Sequence, residues 1–207
     1  GLPGDTVFAV LATKDGAMWI TTEAGVARVR EGRIDVLRPG IELPVVDARS
    51  LAEAPDGAVW ATTVRDGLLR LRTEGTRITV TAFGRRDGLP RSDLRTLTID
   101  PAGRLWLGWE AGGLFGMVVG GNARAELRPH ASLSTQDPPC EGAIVAGGVD
   151  REGITWLATA SGGRVRIDAA GAPVCVREPI PPIPGRPRPG SSLAVFGDGT
   201  AWLGHRN

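Results

Sequence analysis

Short runs of alternating apolar and polar residues, each closed by a glycine-containing turn, organise this chain from its first residues. Thr6-Val7-Phe8-Ala9-Val10-Leu11-Ala12 is a β-rich run, and Lys14-Asp15-Gly16 closes it with a dipeptide that supplies positive φ. Met18 to Thr22 reads as a second strand and Glu23-Ala24-Gly25 as a second turn. Val26-Ala27-Arg28-Val29-Arg30 then alternates as a half-buried strand should. After Glu31-Gly32, the run Ile34 to Leu37 completes a unit of four strands, A to D. The second unit repeats the layout at Ala48 to Ala52, Ala58 to Thr63, Gly67 to Leu71 and Ile78 to Phe83. The third predicts three strands, at Leu94 to Ile99, Arg104 to Gly108 and Gly113 to Val118. The fourth predicts Ala143 to Val149, Thr155 to Thr159, Gly163 to Ile167 and Pro173 to Arg177, and the fifth Ser192 to Phe196 and Ala201 to Gly204. No stretch combines helical periodicity with helix caps.

The turn before each strand B leads into a tryptophan: Asp15-Gly16-Ala17-Met18-Trp19, Asp56-Gly57-Ala58-Val59-Trp60, Ala102-Gly103-Arg104-Leu105-Trp106, Glu152-Gly153-Ile154-Thr155-Trp156 and Asp198-Gly199-Thr200-Ala201-Trp202. These tryptophans lie 41, 46, 50 and 46 residues apart. A second marker runs in phase: Leu2-Pro3, Leu43-Pro44 and Leu89-Pro90 each place a leucine 17 residues before the tryptophan, degrading to Pro138-Pro139 and Pro184-Gly185 later. Four-stranded units at a period of ~40–50 residues predict an all-β fold, a β-propeller segment. The unit boundaries fall at about 1–40, 41–86, 87–136, 137–182 and 183–207. One flat side chain at a fixed place on strand B packs between adjacent blades, so Trp19, Trp60, Trp106, Trp156 and Trp202 are assigned a structural role. Four blades and the opening hairpin of a fifth predict an incomplete ring, with edges that invite aggregation or edge-to-edge dimers.

Composition narrows the function classes. Hydrophobic residues make up 42%, enough for a core, and the net charge of +1 argues against a nucleic-acid or membrane-surface footprint. The basic residues are arginines apart from Lys14, and they are scattered. No apolar run reaches the ~20 residues of a membrane span, and a start at Gly1 is the expectation for a mature or excised segment. Cys140 and Cys175 form no CxxC. Two readings stand for them: a disulfide in an oxidising compartment, or two small, partly buried thiols.

The repeat resembles the two-component regulator propeller family, in which Gly-Leu-Pro leads into strand A, Asp-x-x-Gly-x-Leu-Trp-Ile-Gly-Thr follows, and Gly-Leu opens strand C. The third unit shows it most fully, with Asp87-Gly88-Leu89-Pro90, then Asp100-Pro101-Ala102-Gly103-Arg104-Leu105-Trp106-Leu107-Gly108, then Gly113-Leu114. The second adds Trp60-Ala61-Thr62-Thr63 and Asp66-Gly67-Leu68, and the first Trp19-Ile20-Thr21-Thr22 and Gly25-Val26. The resemblance implies a periplasmic or extracytoplasmic sensor that binds a small molecule or carbohydrate and signals through a C-terminal module, such as a histidine kinase or cyclase. It implies no catalysis and no cofactor.

In a propeller the loops leading into strand A share a face with the B–C turns. That face is the place to look for a ligand. It predicts a candidate set of Arg49, Arg65, Arg95, Trp109, Glu110, His205 and Arg206, with Asp47, Asp66, Arg91 and Asp93 beside them. Arginine forks bind carboxylates bidentately, and a tryptophan stacks on a sugar or ring. The competing reading is a solvated rim of Arg–Asp pairs. Asp15, Asp56 and Asp198 sit on the opposite face, where turn chemistry explains them better than calcium, which wants several clustered oxygens. The proline-rich 178–192 reads as a stiff connection between units or as a docking peptide. A streptogramin-lyase-like enzyme is the rival assignment, on Asp15-Gly16-Ala17-Met18-Trp19-Ile20-Thr21-Thr22-Glu23, with His205 as its one candidate catalytic histidine. A protein-binding scaffold is a third.

Overall fold

The computed structural model describes residues 1–44, 47–109, 111–120, 126–133, 135, 140–161, 163–176, 190–195 and 201–205. For Glu126 and the last two segments it gives the backbone course alone. Blade one is β1 (Val7–Ala12), β2 (Met18–Thr22), β3 (Gly25–Arg30) and β4 (Arg33–Leu37), hydrogen-bonded in that order. Blade two is β5 (Ala48–Glu53), β6 (Val59–Thr63), β7 (Leu68–Glu74) and β8 (Arg77–Phe83). Blade three is β9 (Leu94–Ile99), β10 (Leu105–Trp109), β11 (Leu114–Gly120) and β12 (Glu126–Leu133). Blade four is β13 (Ile144–Val149), β14 (Thr155–Thr159), β15 (Arg164–Ile167) and β16 (Pro173–Val176), and β17 (Gly190–Val195) pairs with β18 (Ala201–His205). Every pairing with a given register is antiparallel, and a 3-10 turn at Arg85–Asp87 is the one helical element among the described residues. The fold is an all-β propeller built of four-stranded blades. It divides into two compact units, Gly1–Leu97 and Thr98–Asn207, with the division inside β9.

Local chemistry repeats with the sequence. Gly16, Gly57, Gly103 and Gly153 close the A–B turns at φ between 77° and 80°, a region that a Cβ penalises. A bulge recurs near the start of strand A, between Val7 and Ala9, Ala48 and Ser50, Ile144 and Ala146, and Gly190 and Ser192. Such a bulge bends the strand and raises its twist at the same point of each of these hairpins.

One element departs from the sequence expectation. Blade three has its fourth strand, β12, in which Pro129 hides the strand pattern. A proline cannot donate to a ladder, but β12 is the outer strand, and Pro129 sits opposite Met117 beside a register shift. His130 is part of that strand.

In each blade, strand register separates a tryptophan-bearing face from an aliphatic one. Leu11, Trp19, Arg28 and Asp35 line up across blade one. Its tryptophan face packs on the Val59, Ala61, Leu69 and Leu71 face of blade two, with Leu43 from the loop before β5 buried in the seam. In the second unit Trp106 and Leu114 of blade three pack on Ile144, Leu157, Val165 and Ile167 of blade four. This seam is tight, since a Cβ on Gly108 would come within 2.7 Å of the Ile144 Cβ. Trp19, Trp60 and Trp106 are all 2% exposed or less, so full burial of an aromatic of ~150–250 Å² explains their repetition. Trp156 is half-buried, and Trp202 is placed on β18. Of the two cysteine readings, the structure has the disulfide: Cys140 and Cys175 are bonded, with Cα atoms 5.9 Å apart.

Candidate functional site

Hydrogen bonds between successive blades place the candidate loops of the first unit. The Gly67 N–H, in the β6–β7 turn, donates to the Ser92 carbonyl in the loop before β9 at 3.1 Å. The Thr62 hydroxyl donates to the Arg95 carbonyl at 3.4 Å. Deeper in, Ser50 Oγ accepts the Leu97 N–H at 3.2 Å. The turn carrying Arg65 and Asp66 therefore meets the loop carrying Arg91, Asp93 and Arg95. The three arginines are exposed. Arg91 grips Asp93 with both ends of its fork, at 2.8 and 2.7 Å. The hydrogen bond from Arg91 holds the Asp93 carboxyl below the usual carboxylate range, and Asp93 in turn raises Arg91.

Arg49 stands apart from that group. It projects from β5 over the Phe8 ring of β1, with Cζ 3.9 Å from the ring centroid, and Nη2 lies 3.6 Å from Asp47 Oδ1. Asp47 adopts φ +69°, which few non-glycine residues do. Phe8 was no part of the sequence-derived set. It lies in the β1 run as an apolar residue like its neighbours, and only the β1–β5 approach makes it a platform for a cation. Glu23 was missed in the same way. From the β2–β3 turn it accepts the backbone N–H groups of Asp5 at 3.0 Å and Thr6 at 2.8 Å, fastening the loop into β1. Hydrogen bonds from its own, the Asp5 and the Thr6 N–H groups lower its carboxyl.

In the second unit, Trp109 is the last residue of β10 and half-buried, not a residue of an exposed turn. Its ring lies 6.2 Å from Phe115 in an edge arrangement and covers Gly113, where a Cβ would strike the indole. Glu110 and Arg206 lie outside the described residues, and His205 is placed as the last residue of β18. The arrangement thus groups Arg65, Arg91 and Arg95 on one rim and keeps Arg49 on a neighbouring one. Exposed guanidinium forks of this kind suit carboxylates and polyhydroxylated ligands.

The turn aspartates have local partners. Asp15 accepts from the Thr13 hydroxyl at 2.6 Å, the Ala17 N–H at 3.1 Å and Arg28 Nη2 at 2.9 Å. Those bonds, the Thr13 hydroxyl first, lower its carboxyl to about 2. Asp56 accepts from the Ala58 N–H and from Arg70 Nη2 at 2.7 Å. Among the described residues no three His, Cys, Asp or Glu side chains gather as metal ligands would.

The sequence profile of the two component regulator propeller family matches residues 1–24. No curated protein matches the chain. Among solved structures, the chain is similar to virginiamycin B lyase from Staphylococcus aureus (17% identity, TM-score 0.68, 96% of this chain and 63% of the lyase). It is also similar to the extracellular domain of a hybrid two component system from B. thetaiotaomicron (15%, TM-score 0.66, 98% of this chain and 26% of that one). A gluconolactonase from Xanthomonas campestris matches at 16% identity and TM-score 0.64, over 96% of this chain and 69% of that one. The chain thus spans 63% of the lyase and about a quarter of the two component protein. At these identities the likenesses establish the fold, which sensors and enzymes share. Residues 1–24 thus match the two component regulator propeller repeat, and the chain as a whole has the β-propeller fold.

Proposed function

We propose that this chain is the ligand-sensing propeller segment of an extracytoplasmic bacterial signalling regulator, and that it binds a small molecule or carbohydrate rather than catalysing a reaction. The observation that carries the reading is the two component regulator propeller repeat at residues 1–24. The likeness to the extracellular domain of a two component system supports it, as does the cluster of Arg65, Arg91, Asp93 and Arg95 where one B–C turn meets the next lead-in loop. Arg49 on Phe8 extends the polar rim toward blade one. In the second unit Trp109 offers an indole edge, with Glu110, His205 and Arg206 as further members of the set. The remainder of a propeller, a C-terminal signalling module and self-association into a homodimer belong to the same proposal, and nucleic acid does not.

Calorimetric titration with neutral and acidic mono- and oligosaccharides tests this reading. One class should bind, and Arg65→Ala with Arg91→Ala should weaken it at least tenfold. If none binds and the double variant is indistinguishable from the parent, the sensor reading falls.

A lyase-like enzyme is the second reading, favoured by the likeness to virginiamycin B lyase over 96% of this chain. It requires turnover of a virginiamycin-type substrate that is lost on chelation and on His205→Ala. Turnover that survives both changes would sink it.

A further inference from the structure

In both units a tryptophan-bearing blade face packs on an aliphatic one, and the lead-in loop buries a different side chain in each seam. In the first unit the loop before β5 buries Leu43 among Trp19, Val26 and Leu37. In the second, the loop before β13 buries Cys140, 1% exposed, among Trp106, Leu114, Ile144 and Leu157. A cysteine fills less of the seam than a leucine. Its sulfur is bonded instead to Cys175 on β16, the outermost strand of blade four, closing a loop over a sequence separation of 35. The bond runs from the loop that opens the blade to the strand that ends it, with β13, β14 and β15 between.

The strand at the far end of that bond is short, and besides its own ladder it touches β12 of blade three. β16 has four residues, where β8 has seven and β12 has eight. Among the described residues it pairs with β15 alone, from Arg164 opposite Val176 to Ile167 opposite Pro173, and Pro173 has no N–H to donate. Val174 is 56% exposed. The loop at the near end is a junction. The Gly142 N–H donates to the Thr135 carbonyl at 2.7 Å, the Ala160 N–H donates to the Ala143 carbonyl at 2.8 Å, and the Ser161 hydroxyl donates to the Glu141 carbonyl.

We infer that the Cys140–Cys175 disulfide is a redox-sensitive latch on blade four, covalently replacing the leucine packing that closes the seam of the first unit, so that blade four holds its outer strand only under oxidising conditions. The two sulfurs differ in access, since Cys175 is half-buried and Cys140 is buried. A dithiol reductant attacks the Cys175 sulfur, forms a mixed disulfide there and expels the Cys140 thiolate into the seam. Its second thiol then attacks its own sulfur in the mixed disulfide and releases Cys175. The protein takes up two electrons and two protons, and the reductant leaves as its cyclic disulfide. Reduction leaves β16 with its single ladder and the seam short of a side chain. The latch fits a protein that works in an oxidising compartment.

Differential alkylation and mass spectrometry, thermal unfolding and limited proteolysis of the chain, each with and without dithiothreitol, test the latch. Without reductant, no thiol should be alkylated and residues 140–176 should resist protease. With it, both cysteines should become alkylated, the midpoint should fall by about 6–15 °C, and the first cuts should appear within 140–176. The paired variant Cys140→Leu with Cys175→Val lacks the cross-link and should lose all response to reductant, in midpoint and in protease pattern alike. Free thiols in the untreated protein would overturn the inference. So would an unchanged midpoint and protease pattern on reduction, or first cuts outside blade four.

Discussion

The first two blades and the last two solve one problem in different ways. Each carries an indole on strand B and gives it a different polar partner. In blades one and two the register puts an arginine directly across from the tryptophan on strand C. Arg28 lies 5.9 Å from the Trp19 ring centroid and Arg70 5.5 Å from that of Trp60. Asp15 and Asp56, in the A–B turns, anchor those arginines at 2.9 and 2.7 Å. In blades three and four an aspartate six residues before the tryptophan accepts the indole N–H instead. Asp100 accepts from Trp106 at 3.0 Å and Asp150 from Trp156 at 2.8 Å. The matching positions in the first two blades are Thr13 and Ala54. Opposite Trp106 stands Gly116, and a Cβ there would come within 2.7 Å of the ring, so blade three has no room for the arginine. Blade four retains Arg166 opposite Trp156, exposed, beside its aspartate. A cation over the face and an acceptor at the edge are thus alternative ways to keep one buried aromatic satisfied.

The comparison predicts unequal costs. Asp100 is the most enclosed of these carboxylates, with a side chain 1% exposed, and it also pairs with Arg104, whose side chain is 12% exposed. Asp100→Ala leaves a buried guanidinium and an indole N–H without their acceptor and should cost about 3–5 kcal/mol in denaturant unfolding. Asp56→Ala removes a half-exposed partner of Arg70 and should cost about 1 kcal/mol or less. Equal losses would mean that the two designs are one.

Overpacking comes next. Gly116→Ala should destabilise by about 1–3 kcal/mol, because the Trp106 ring has no space to yield. If Gly116→Ala is silent, the missing arginine of blade three needs another cause.

The smallest effect is a pH dependence read at Asp15 of the first design. The folded-state carboxyl of Asp15 is lowered to about 2. Its contribution is therefore complete above the unfolded-state value of ~3.9 and is lost as pH falls through the window between them. Asp15 is partly exposed, so solvent screening keeps the effect small. The parent should lose more thermal stability than Asp15→Asn between pH 5 and pH 2. Parallel loss in both would remove Asp15 from the account.

Much of the fold was legible because propeller blades are local. An Asp-Gly or Ala-Gly turn, a tryptophan three residues on and an alternating run place strands A to C within a residue or two. Where a residue breaks the local pattern but tertiary position tolerates it, legibility ended, as with Pro129 on an outer strand. The site was less legible. The loop pattern brought Arg65, Arg91 and Arg95 to notice, and the interblade hydrogen bonds group them. Phe8 beneath Arg49 and Glu23 beneath its own lead-in loop depend on approaches between distant segments, which leave no periodic trace.

What the sequence determined by itself was the repeat: turn glycines set φ, alternation set which residues share a face, and the recurring indole marked what must be buried. Only the tertiary structure decided which polar partner each indole takes, that a cysteine fills the second unit's seam and is bonded to an outer strand, and which loops carrying arginines meet. Those outcomes depend on distances across a seam between blades, and a one-dimensional pattern carries the period of a strand but not the width of the gap it faces.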